Sequence, residues 1–262
     1  TFLQYKAYID IDGNGEYMPL NEIRPIEILP SEAKSVHIFS PSIVRPKEIF
    51  EIDLSIRDRF ENPIFDKENY NFTLSIQNLK DKIIYKEIGI EGGHNVEAFI
   101  DEEGFYEITI KDTDLTVQKS VLLCSQIYEK LYWGDTHCHS NLSPNIRDND
   151  GGAHPQACYD YARDVSFLDF VCLIEQTFKF DNDDNVNLSR ETWRKIAKYS
   201  DKNYESGSLV TFSGFELHSK RGDTVAFFKD SLNSVTYPEE WVKDIKDVWK
   251  FYKDGHMLTV PH

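Results

Sequence analysis

The chain has 262 residues, 40% hydrophobic and 28% charged, with a formal net charge of −16 at neutral pH. That length exceeds what one ordinary core needs, and so acidic a balance argues against a nucleic-acid partner, whose phosphates are held by Lys and Arg. No apolar run approaches the ~18 residues of a membrane span, so a membrane is not an expected partner either.

Residues 1–35 read as an N-terminal extension or hairpin. Within them Asp10-Ile11-Asp12-Gly13-Asn14-Gly15 matches the first half of a calcium loop, with oxygen donors at alternate positions and glycine at the sixth. The twelfth position, however, holds Asn21 where a bidentate glutamate belongs, and Pro19 discourages an exiting helix. A tight hairpin turn is the expectation there.

Residues 36–128 carry strand signals only. Phe50 to Arg57, Phe72 to Gln77 and Tyr106 to Lys111 alternate apolar and polar side chains, as half-buried strands do. Turn signals at Glu61-Asn62-Pro63, Gly92-Gly93 and Glu103-Gly104 separate them. The expected architecture is an immunoglobulin-like antiparallel sandwich, a module that positions or recognises and seldom carries chemistry itself.

From 129 to 262 strands alternate with helices. His154-Pro155 opens a helix toward Val165, Leu168 to Ile174 reads as a buried strand, and Ser189 caps a helix with Trp193, Ile196 and Ala197 on its apolar face. Leu209 to Phe215 is the next strand. Pro238 starts a helix that Gly255 stops, and Met257 to Val260 is a strand again. This order predicts α/β structure, a parallel sheet or barrel whose sites lie at the carboxyl ends of its strands.

Those ends carry groups that ligate metals. Asp135, His137 and His139 alternate at the first, Glu175-Gln176 close the second, Glu216 the third and His262 the fourth. A lone Glu or His after a strand is usually a cap or a solvated residue; a His-x-His pair followed by further donors in register is a candidate metal site. The two imidazoles are expected within ~5 Å of each other, facing Glu216 and His262. His218, two residues past Glu216, is a candidate proton shuttle or extra ligand, with a hydrogen-bonded loop histidine as the plainer reading. Asp181 to Asn185 reads as a solvated acidic loop. The four cysteines, Cys124, Cys138, Cys158 and Cys172, fit no CxxC pattern and read as buried thiols.

The segment Trp133-Gly134-Asp135-Thr136-His137-Cys138-His139-Ser140-Asn141-Leu142-Ser143 resembles the first motif of the PHP (polymerase and histidinol phosphatase) superfamily, in the branch called DUF3604. Tyr159 to Asp164 with Leu168-Asp169-Phe170, Ser213-Gly214-Phe215-Glu216 and Val260-Pro261-His262 are similar to that branch's first helix and second strand, its Gly-x-Glu motif and its Pro-His motif, and sandwich domains often precede it. The resemblance implies a distorted (β/α)7 barrel holding a cluster of divalent ions, with His137, His139, Glu216 and His262 as ligands. It also implies metal-dependent hydrolysis, typically of phosphate esters, and hence a small phosphorylated substrate. Zinc, manganese and iron all suit such a mixed shell.

Two departures bear on that expectation. Where the family has Thr-Asp-His at its second strand, this chain has Ile174-Glu175-Gln176, which replaces an imidazole by a neutral carboxamide. Asp135, Glu175, Gln176 and His218 are therefore candidates for supporting or substitute ligands. The family's later strands, with a final Asp-x-His, have no counterpart before His262, so the chain reads as the N-terminal part of a longer barrel. The alternative to a hydrolase is a degenerate, non-catalytic PHP-like binding or scaffolding module.

Overall fold

The structure is a computed structural model. It describes residues 2–3, 7–20, 26–27, 29–65, 70–80, 84–91, 95–127, 129–143, 153–176, 188–219, 222–230, 235–237, 245–252 and 257–261. The chain forms two compact units, Thr1–Tyr128 and Glu129–His262.

The first unit is all β. It opens with two short antiparallel ladders, β1 (Phe2–Leu3) with β4 (Ile26–Glu27) and β2 (Tyr8–Ile9) with β3 (Met18–Pro19). Between β2 and β3 the Asp10 carboxylate accepts hydrogen bonds from the amides of Gly13, Asn14 and Gly15, at 2.8, 3.2 and 2.9 Å. That carboxylate closes a turn, as expected of a hairpin.

Then follow β5 (Ala33–Phe39), β6 (Ile43–Val44), β7 (Phe50–Asp58), β8 (Asn71–Asn78), β9 (Ile84–Glu91), β10 (Asn95–Ala98), β11 (Gly104–Lys111), β12 (Thr116–Gln118) and β13 (Ser120–Cys124). They form two sheets, in the orders β10-β7-β5-β12 and β6-β13-β11-β8-β9. Alternation decides what lies between them. Phe50, Ile52, Leu54 and Ile56 of β7, Phe72, Leu74 and Ile76 of β8, and Tyr106, Ile108 and Ile110 of β11 all enter one core.

Two details place this sandwich in the immunoglobulin-like class. The chain leaves one sheet after β5 and joins the other as β6, parallel to β13. The Tyr106 hydroxyl, near the start of β11, donates to the Glu102 carbonyl at 3.0 Å, a tyrosine corner.

Asp58, at the end of β7, organises the turn that follows. Its buried carboxylate accepts from the amides of Ser31 (2.9 Å), Phe60 (2.8 Å) and Asn62 (2.9 Å), and from the Asn62 side chain. Burial alone raises its pKa, but the hydrogen bonds from Ser31, Asn62 and Phe60 outweigh burial and hold the group well below the usual carboxylate range. A group with a depressed folded pKa stabilises fully above its unfolded value, about 3.9, and loses that contribution as pH falls through the folded value. Asp58→Asn is therefore expected to lower the thermal midpoint of the sandwich by several degrees at pH 7, with the gap from wild type closing in strong acid. A scan of melting temperature against pH checks this.

The second unit is built on one five-stranded sheet. Its elements are β14 (Gly134–Cys138), α1 (Pro155–Asp164), β15 (Phe170–Gln176), α2 (Arg190–Asn203), β16 (Val210–Ser219), β17 (Gly222–Phe228), α3 (Ile245–Phe251) and β18 (Met257–Pro261). His154 caps α1, its Nδ1 accepting from the Gln156 amide at 3.2 Å, and Ser189 caps α2 through the Thr192 amide at 3.0 Å. The predicted start and stop of the third helix, Pro238 and Gly255, lie outside the described residues, as does the acidic loop Asp181 to Asn185. No helix among the described residues is long and apolar enough to cross a membrane.

The sheet order is β14-β15-β16-β17-β18, and it corrects the expectation of parallel strands throughout. β14, β15 and β16 are parallel, but β16 turns back into β17 through a hairpin and both ladders of β17 are antiparallel. The sheet is mixed because Gly222 and its neighbours leave too few residues for a crossover helix.

Its two faces differ. Val171, Leu173, Phe215, Leu217, Ala226 and Phe228 share one face with Tyr159, Trp193, Ile196 and Val248 of the helices. Cys172, Ile174, Phe212, Val225 and Phe227 form a separate cluster on the other. Leu258 and Val260 belong to that second face by register and are 65% and 44% exposed.

Candidate metal centre

The second face bears the donors. β15 and β16 run parallel with Gln176 opposite Glu216 and Ile174 opposite Gly214. Glu216 thus stands on the same face as the Cys172–Ile174 cluster, although β16 continues to Ser219 and Glu216 is inside the strand, not at its end as the sequence suggested. Gly214 lets β17 come close: a Cβ there would lie 2.4 Å from the Ala226 carbonyl oxygen and 3.1 Å from the Ile174 side chain.

His137 and His139 reach this face from β14 through an irregularity. The ladder pairs Asp135 with Val171 and then Cys138 with Leu173, so three steps on β14 match two on β15. This β-bulge shifts side-chain parity by one residue. Asp135 and Cys138 fall in register with the helix-covered face, whereas His137 and His139 face Glu216. The expectation that Asp135 shares their side is corrected accordingly; its carboxylate turns back to accept from the His137 amide at 2.8 Å.

The imidazole rings stand edge to face with centroids 5.3 Å apart. His139 Nε2 lies 3.3 Å from Glu216 Oε2 and His137 Nε2 lies 3.7 Å from Glu216 Oε1. One donor atom from each of the three residues falls within 4.8 Å of the others, so the group could hold a metal ion. An ion bound at about 2.0–2.1 Å in tetrahedral geometry spaces its ligand atoms by roughly 3.3–3.4 Å; the His139–Glu216 separation matches that spacing, while the His137 contact is longer and runs to the other carboxylate oxygen. Burial agrees with that fit. The Glu216 side chain is 3% exposed while the two imidazoles keep 31% and 24%, so a nearly dry carboxylate is faced by two partly hydrated nitrogen donors. A buried carboxylate is costly unless it is hydrogen-bonded or paired, and a metal ion or a protonated imidazole would pair it.

For His139, burial opposes the charged form, but Glu216 above all, then Glu175 and the Ile174 carbonyl, outweigh it and leave the pKa raised. Protonation of His139 is thereby favoured relative to a free imidazole.

The remaining candidates sort by face. Glu175 points to the helix-covered side, fully buried, where Ser140 Oγ donates to its Oε1 at 2.5 Å and the Ser140 amide lies 3.3 Å from both oxygens. It is no substitute ligand. Burial pushes its pKa up to about 7, the Ser140 hydrogen bonds restraining the rise. Gln176 stands beside Glu216 by register, and its amide donates to Ser143 Oγ at 2.9 Å. His218 belongs to β16, paired with Asp223, with its side chain outside the described residues; His262 also lies outside them. Ser140 and Ser143 were not singled out from the sequence, since each meets its partner on β15 more than thirty residues away. Cys138, Cys158 and Cys172 are free thiols pushed up by burial, Cys138 to about 11 and Cys158 to about 12.

No family model matches the chain. An uncharacterized protein of Chlamydia pneumoniae is 25% identical over 267 residues, covering 98% of this chain and 41% of that protein. Uncharacterized proteins of Chlamydia muridarum and Chlamydia trachomatis serovar D are each 24% identical with the same coverage. The chain thus spans about two fifths of the length of the curated relatives it matches. Among solved structures, the CARDB domain of the PF1109 protein from Pyrococcus furiosus, in complex with di-metal ions, covers 38% of this chain and 96% of its own at 13% identity. Its TM-score of 0.23 is too low to assign a fold.

Proposed function

We propose that Glu129–His262 is part of a metal-dependent hydrolase domain of the PHP type, acting on small phosphate esters, with the sandwich as an accessory domain. The observation that carries this reading is the buried Glu216 carboxylate facing two imidazoles on the sheet face opposite the described helices, near the carboxyl ends of β14 and β15. A divalent ion of zinc, manganese or iron held by His137, His139 and Glu216 would supply Lewis acidity and an activated water.

The protein's own part is to hold the charge and the approach. The Glu216 carboxylate lies in a nearly dry position, where its attraction for a cation is stronger than in open solvent. His137 and His139 are partly exposed, so the described residues do not seal the donor group. Binding metal requires His139 to give up its proton, so affinity falls as pH drops through its raised pKa.

The test uses the full-length gene product with Mn²⁺ or Zn²⁺ and an aryl phosphate ester. Metal-dependent release of phosphate is expected, and its absence in protein carrying bound metal refutes the hydrolase reading. That negative result would support the second reading, a degenerate binding module. A specific observation favours it: Gln176, the register partner of Glu216, offers a weak carboxamide where the resembling family has an imidazole.

A further inference from the structure

We propose that Glu175 is a positioning residue for His139, acting through Ser140. The inference rests on the metal-site reading above and deepens it. The ladder between β14 and β15 ends at the pair Cys138 and Leu173, so no ladder pairing holds His139, the next residue. Its ring meets Glu216, and its backbone is followed at once by Ser140. Ser140, completely buried, gives both its amide and its hydroxyl to the Glu175 carboxylate, and the amide fixes the peptide plane that begins at His139.

The same hydroxyl accepts from the Leu142 amide at 3.1 Å, and the Ser140 carbonyl accepts from the Ser143 amide at 3.2 Å. Ser143 Oγ then accepts the Gln176 amide at 2.9 Å. The turn after His139 is thereby fastened at two points to the last two residues of β15. One fastening is the side chain of Glu175 and the other the backbone amide of Gln176, so consecutive residues of the strand end hold the turn.

A carboxylate is a costly group to place in a fully buried position among helices and apolar strand residues. An apolar residue there would pack without that cost but would leave the Ser140 amide unpaired and the turn free to move. Groups that orient a metal ligand typically change metal affinity 10–100-fold when altered.

The experiment measures Co²⁺ and Zn²⁺ affinity by calorimetry, together with the Co²⁺ visible spectrum, for the full-length protein and its Glu175→Gln and Ser140→Ala variants. Thermal unfolding of each metal-free protein is recorded alongside. Expected is affinity about 10–100-fold weaker in Glu175→Gln and about tenfold weaker in Ser140→Ala, with an altered Co²⁺ spectrum in both. Wild-type affinity and spectrum in both variants overturn the proposal. So does a lowered metal-free midpoint with unchanged affinity, which assigns Glu175 to packing alone. If Glu175→Gln does not fold, Ser140→Ala decides by the same criteria. Absence of metal binding by the unaltered protein instead overturns the site reading itself, and the two failures are told apart by that control.

Discussion

Alanine at both His137 and His139 is expected to weaken divalent-metal affinity by more than about a hundredfold, beyond the loss typical of a residue that only supports a ligand. Hydrolysis should disappear with it, and the unfolding transition of the sandwich should stay where it is, because a unit with its own core does not depend on a site in another. Calorimetric metal titration, turnover and differential scanning calorimetry read the three parts. The metal-free protein carries a further sign. A histidine whose folded pKa is raised contributes stability fully below its unfolded value, about 6.5, and loses it as pH rises through the folded value. The double variant is therefore destabilised most in mildly acidic buffer and least at alkaline pH. Metal binding equal to wild type in the double variant would remove the basis of the proposed site.

The second large effect is a gain. Gln176→His places an imidazole next to Glu216 in register, exchanging a weak oxygen donor for a nitrogen donor on the donor face. Bound metal is expected to rise, with affinity improved at least about tenfold, and elemental analysis of purified protein measures it. Unchanged metal content would exclude position 176 from the ligand shell. The variant keeps the backbone amide that Ser143 accepts from, so the turn after His139 is not disturbed by design.

What the sequence disclosed follows from how local each signal is. Strands whose one face is buried announce themselves by alternation, as Phe50 to Ile56 do, and caps such as Ser189 act within three residues of themselves. β17 was missed because Thr224 to Phe228 is a short run that does not alternate cleanly, and a reading in strand-helix units leaves no place for a hairpin strand. The His-x-His pair was legible as half a site, since two imidazoles at i, i+2 share a side. The bulge that separates Asp135 from them was not, because it is defined by what β15 does opposite. The bond between Ser140 and Glu175 spans 35 positions and leaves no pattern in either segment. Glu216 was correctly placed beside the histidines but at a strand end, where it is in fact flanked by ladders on both sides.

That flanking gives the donor group unequal halves. Glu216 is pinned between Gln176 of β15 and Val225 of β17, so its carboxylate is delivered by backbone already fixed by hydrogen bonds in two directions. His137 lies at the far, bulged end of β14, which has one neighbour among the described strands, and His139 follows just beyond it. The carboxylate of the donor group is thus held from two sides, whereas the imidazoles depend on a single ladder and on the turn that follows it.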